Sequence, residues 1–124
     1  MIRKEYNIYR SEAASFDEAL SELLAAMDGA EREIVRIVLF GAPKDNVEYV
    51  EQRTLFEQRC RTHFGEYVPM LSYVAQAPLR YSLAAEVTTI SREDAKHIVR
   101  HRDYITLGDE ILSAGIYAPL EKNV

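Results

Sequence analysis

Residues 69–90 read PMLSYVAQAPLRYSLAAEVTTI. Two apolar runs rich in aliphatic residues flank Pro78, which cannot donate to a β ladder. The stretch therefore reads as two buried strands, 68–77 and 81–90, joined at a turn. Glu86 is the one charged residue of the second run. On an alternating strand it shares a face with Ala84 and Thr88, so it points either to solvent or into a cleft.

Working outward, IVRIVLF at 34–40 is β-branched and bounded by Gly41 and Pro43, which predicts another largely buried strand. Ser15 followed by Glu18 forms a capping-box pattern. Phe16, Leu20, Leu23, Leu24 and Met27 then recur at helical spacing, predicting a helix over 16–27 that ends near Gly29. A second amphipathic helix is expected over 47–64, with Val47, Val50, Leu55, Phe56 and Cys60 near one stripe and Gly65 as its stop. Residues 5–10 alternate as a short half-exposed strand. Downstream, Ser91 and Asp94 predict a capped short helix running to about Arg100, with extended structure restarting at Asp103. A hairpin follows, 104–107 and 110–117 around Gly108 and Asp109. The order β, α, β, α, β, β, short α, β, β describes an α+β two-layer sandwich. It is expected to be one domain over 1–124, with a mixed sheet of about six strands and the two main helices on one face.

At 124 residues and 48% apolar content, the chain can bury about two thirds of its unfolded surface in one core. A net charge of −5 with pI near 5.2 gives no basic footprint for nucleic acid or an anionic membrane. The single Cys60 excludes an intrachain disulfide and leaves a cysteine-based zinc site without support. No window approaches a membrane span, and MIRKEYNIYRSE lacks the apolar core of a signal peptide. The expected setting is soluble and cytoplasmic.

The run P-x-x-S-Y-V-A-Q-A-P-L from Pro69 to Leu79, followed by an apolar strand carrying Glu86, resembles the RidA-like (YjgF-like) family. These are small trimeric proteins also labelled L-PSP endoribonucleases or translation initiation inhibitors. The resemblance covers about residues 16–90. In the family's deaminase branch the segment reads roughly P-A-R-S, whose Arg holds the carboxylate of an imino acid, with a Glu further along. Leu71 stands at that Arg position and Glu86 at the Glu position. The resemblance implies a YjgF-like, bacterial chorismate-mutase-like fold, a homotrimer with small-molecule ligands in inter-subunit clefts, and no cofactor. Family members usually open on a hairpin containing a segment like I-x-x-S-G-Q-I-P. Its counterpart here is YITLGDEILSAGIYAP at 104–119, at the other end of the chain. Either the chain is circularly permuted, or the hairpin pairs with a neighbouring subunit.

Glu86 is the candidate catalytic residue, where the matching family Glu positions a water or a proton; the plain alternative is a solvated strand carboxylate. Leu71 is the counter-evidence, because Leu cannot supply the forked, charge-assisted hydrogen bonds with which Arg grips a carboxylate. Arg80 at the turn either enters the cleft or is simply solvated. Ser72 and Tyr73 lie beside the implied ligand, with Tyr73 as an aromatic wall or as ordinary sheet packing. Ser113 and Gly115 match the family's S-G segment, and Tyr117 follows them. His97 and His101, four apart, form a weak metal pattern, since KHIVRHRD lacks a nearby acidic or cysteine partner. Cys60 and His63 lack an orienting third group, so a buried structural thiol is expected. No phosphate loop or cofactor motif occurs.

Two functions are therefore expected. The first is a RidA-like oligomer that binds a small metabolite without efficient 2-imino-acid deamination. The alternative is an imine or enamine hydrolase of shifted specificity, with Glu86 as general acid or water-positioning group. Ribonuclease activity is not expected.

Overall fold

Ser15 starts the first helix by accepting a hydrogen bond from the Glu18 amide at 3.1 Å, and Asp45 starts the second by accepting one from Glu48 at 2.8 Å. These helices are α1, Phe16–Met27, and α2, Asn46–Phe64. A computed structural model describes residues 3–29, 31–65, 68–101 and 104–114, with 112–114 described by their backbone alone. The strands are β1 (Glu5–Ser11), β2 (Glu33–Gly41), β3 (Met70–Val74), β4 (Leu83–Ile90), β5 (Ile98–Arg100), β6 (Tyr104–Leu107) and β7 (Glu110–Ala114), with the single-turn helix α3 at Arg92–Ala95. The architecture is α+β, with two main helices and mixed strand pairing.

The main sheet has the order β1-β4-β2-β3. β4 is antiparallel to both neighbours, whereas β2 and β3 run parallel, joined by α2 as the crossover that parallel strands require. The two strands of residues 69–90 are therefore not neighbours: β2 lies between them. The bend at Pro78 belongs to a connection that passes from one edge of β2 to the other.

Alternation sorts the side chains of this sheet. Ile37, Leu39, Leu71, Tyr73, Leu83, Ala85 and Val87 pack with Leu20, Leu23, Leu24 and Met27 of α1 and Phe56 and Cys60 of α2 in one core. The inward stripe of α2 is Tyr49, Arg53, Phe56 and Cys60, and Val47 stands outside it, 67% exposed. Positions 49, 53, 56 and 60 follow the three-and-four spacing of one helix face; 47 does not. Arg53 is accommodated by lying across the Tyr49 ring, 5.7 Å from its centroid, with Glu57 one turn on at 3.8 Å. On the opposite face, cross-strand register aligns Ile8, Glu86, Val38 and Ser72 in one row.

Beyond β4 the sequence expectation needs correction. Ser91 does cap α3, accepting from the Asp94 amide at 3.1 Å, but the helix stops at Ala95 rather than near Arg100. Ile98 and Val99 are β-branched and enter strand β5 instead. β5, β6 and β7 form their own three-stranded antiparallel sheet, so the strands divide between two sheets instead of sharing one of about six. The expected hairpin is present as β6–β7, turning at Gly108, whose φ of +58° suits glycine. Ile105 joins Val35 and Ile90 in a second, smaller core that fastens this sheet to the end of the first.

Candidate functional site

On the face away from the helices, the connection 75–82 leans over the main sheet and leaves an open cleft of about 810 Å³. Its floor is Ile8 and Arg10 of β1, Ala84 and Glu86 of β4 and Phe40 of β2. Its wall is 76–81, including Pro78, Arg80 and Tyr81. Ser82 anchors the end of this connection: its amide donates to the Ser11 carbonyl at 2.9 Å and its hydroxyl donates to the Ala13 carbonyl at 2.7 Å. Arg80 adopts φ +69°, unusual for a residue with a Cβ. The Arg10 guanidinium lies 5.4 Å from the Tyr81 ring centroid, joining the β1 floor to the wall.

Chemically, the cleft offers, among the described residues, one half-buried carboxylate, two guanidinium groups and an apolar, partly aromatic surface. A guanidinium binds a carboxylate or phosphate through paired N–H donors. The Glu86 carboxyl can accept or return a proton or orient water.

Of the residues singled out in the sequence, the structure brings Glu86 and Arg80 together in this cleft. Leu71 and Tyr73 are elsewhere, on the helix side and within the main core. The Tyr73 hydroxyl donates to Gln52 Oε1, its ring stacks on Tyr49 with centroids 5.2 Å apart, and the Tyr49 hydroxyl donates to the Tyr73 carbonyl at 2.9 Å. Burial, and then the Glu48 carboxylate, push the Tyr73 hydroxyl above its ordinary pKa. Ser72 shares the row of Glu86 but is buried and does not line the cleft. Ser113 pairs with Ile105 in the second sheet. Gly115 and Tyr117 lie outside the described residues.

Arg10 and Tyr81 were missed from the sequence. The signal that finds Arg10 is its register with Ala84, two residues from the Ile8 and Glu86 pair, which places it on the Glu86 face. Pairing of β1 with β4 is needed to see it.

The remaining candidates have local partners. His101 stacks on Tyr104 with centroids 4.2 Å apart, and His63 Nε2 lies 3.2 Å from Asp28. Cys60 is buried, and burial pushes its thiol up to about 12. Among the described residues, no group of three or more His, Cys, Asp or Glu side chains is placed to hold a metal, and no helix is long and apolar enough to cross a membrane.

No family model matches the sequence, and no curated protein matches it. Among solved structures, the chain is similar to yeast Mmf1, with 24% sequence identity and a TM-score of 0.41. The alignment covers 64% of this chain and 66% of Mmf1, just under two thirds of that protein.

Proposed function

We propose that this chain is a RidA-like small-metabolite-binding protein whose ligand enters the cleft between β4 and the 75–82 connection. The observation that carries the reading is the meeting of Glu86 with Arg80 and Arg10 in one cleft. The sequence resemblance placed the anionic grip at position 71, where Leu stands. The two arginines offer an alternative grip from different elements, so a carboxylate-bearing ligand remains compatible with Leu71. No cofactor enters this reading.

A second reading is favoured by the same carboxylate: hydrolysis of an imine or enamine, with Glu86 positioning water or donating a proton. The test is turnover of freshly generated 2-iminopropionate and of an uncharged imine by wild type, Glu86→Gln and Arg80→Ala. Turnover by wild type that is abolished in Glu86→Gln supports the enzyme. Saturable binding of a small carboxylate without turnover, weakened in Arg80→Ala, supports the binder. Neither binding nor turnover overturns both.

Self-association is part of the proposal. Tyr6 is 60% and Ile8 54% exposed on the face away from the helices, and a second copy of the chain would cover them. The resemblance suggests a trimer, with cytoplasmic residence. The hairpin that the family shows first comes last here, which is compatible with circular permutation or with pairing of that hairpin to a neighbouring subunit. Sedimentation equilibrium at the 14.2 kDa monomer mass would overturn the oligomer.

A further inference from the structure

Among the described residues, the main sheet ends in two unlike edges, β3 and β1. β3 buries its middle residues Leu71, Ser72 and Tyr73, and side chains engage the backbone there. The Tyr49 hydroxyl donates to the Tyr73 carbonyl at 2.9 Å, and Arg100 Nη1 donates to the Val68 carbonyl at 2.8 Å. β1 instead exposes Glu5, Tyr6, Asn7 and Ile8 in succession, so both of its faces meet solvent. An edge strand exposed in this way is a template for pairing with another chain.

The sequence along this edge, KEYNIYRSE at 4–12, complements its own reversal. Two copies related by a two-fold axis perpendicular to the sheet pair antiparallel and keep the same face up. Residues opposed across the new pair must then both be odd-numbered or both even-numbered. A centre at Asn7 opposes Lys4 to Arg10, a like-charge pair, and a centre at Tyr9 opposes no opposite charges within 4–14. A centre at Ile8 opposes Lys4 to Glu12 and Tyr6 to Arg10, each twice by symmetry. Opposite charges set directly across two strands attract, as does a guanidinium against a tyrosine ring.

We propose that β1 is an interaction edge that pairs antiparallel with β1 of a second copy of this chain, centred on Ile8. The occupant is a second copy because the charge pattern of the edge complements itself. This pairing joins the rims of two sheets and is separate from any covering of the sheet face. It also reaches the Glu86 cleft: Arg10, which lines that cleft beside Tyr81, meets Tyr6 of the second copy.

The test is sedimentation velocity over a concentration series, with amide hydrogen exchange followed at both ends of the series. Self-association that adds copies in pairs is expected, with a Kd of about 100 μM or tighter, and exchange of the β1 amides should slow as the concentration rises. Lys4→Glu and Glu12→Lys should each raise that Kd about tenfold, because each sets like charges against one another twice. The double variant K4E/E12K restores the opposition of charges and should return the Kd to within about threefold of wild type. A chain that stays monomeric throughout the series would overturn the pairing. So would an assembly that Lys4→Glu leaves equally tight, or one in which the β1 amides exchange as freely as in the monomer.

Discussion

Leu71 and Glu86 face opposite sides of one sheet. Leu71 sits in register with Ile37 beneath the helices, whereas Glu86 sits in register with Val38 on the face that carries the cleft. A separation in sequence that suggests one ligand site joins two residues that the sheet keeps apart.

Leu71→Arg should consequently damage the fold instead of restoring a ligand anchor. Leu71 is 6% exposed within the main core, so a guanidinium there would be buried among apolar side chains. A loss of roughly 3 kcal/mol or more is expected, read as a lower urea midpoint, with no gain of 2-iminopropionate hydrolysis. A stable, newly active variant would show that position 71 reaches the ligand.

Gly41 and Tyr73 should behave as a coupled pair. A Cβ at Gly41 would collide with the Tyr73 hydroxyl and come within 2.8 Å of its Cε1. Gly41→Ala is expected to cost about 1–3 kcal/mol by overpacking. Tyr73→Phe should cost about 1 kcal/mol through its lost hydrogen bond to Gln52. Because Phe also removes the worst collision, the double variant should be more stable than the sum of the two losses. Additive losses in a double-mutant cycle would refute the coupling.

Alkaline pH should weaken the protein through Cys60. Burial raises its thiol from 9.0 to about 12, so the folded state keeps a proton that the unfolded chain releases. The contribution is complete below pH 9 and declines as pH rises toward 12, by at most about 1.4 kcal/mol per pH unit. Tyr73 is shifted in the same direction. Melting temperatures of wild type and Cys60→Ala measured from pH 7 to 10.5 should change in parallel up to 9, after which wild type falls more steeply. Iodoacetamide should leave native Cys60 unmodified at pH 8, because the reactive species is the thiolate.

The helix starts should each carry a separable contribution. Ser15→Ala and Asp45→Ala remove the acceptors for the Glu18 and Glu48 amides, and each should cost about 1 kcal/mol in chemical denaturation. A neutral result at either position would mean that water replaces the cap.

The Ser15 cap also explains why the first helix was legible in the sequence. α1 is announced by local chemistry: the Ser15 capping acceptor, an apolar stripe and Gly29 near its end. α2 is announced by Gly65 and by Phe56 and Cys60, whereas its Asp45 cap and the exposure of Val47 emerge only in the structure. The same signals were blind to length at Ser91, where a correct cap opens a helix of one turn because Ile98 and Val99 find strand partners in β6. Pairing was less legible still. Pro78 marks where the chain bends, but nothing near it reveals that β2 intervenes between β3 and β4. The site inherits that blindness. Glu86 stands out as a charge in an apolar run, while Arg10 becomes meaningful only once β1 is laid beside β4.

The central position of β4 also bears on how the polypeptide is born. β1 and β2 are synthesised first, yet each must wait for residues 83–90 to join it to the other. A nascent chain ending before Leu83 holds β1 with no strand beside it and β2 paired on one side alone, leaving open edges of the kind that recruit other chains. Such a fragment is an unfinished sheet that cannot close, and ribosome-bound intermediates of this length are natural clients for a chaperone.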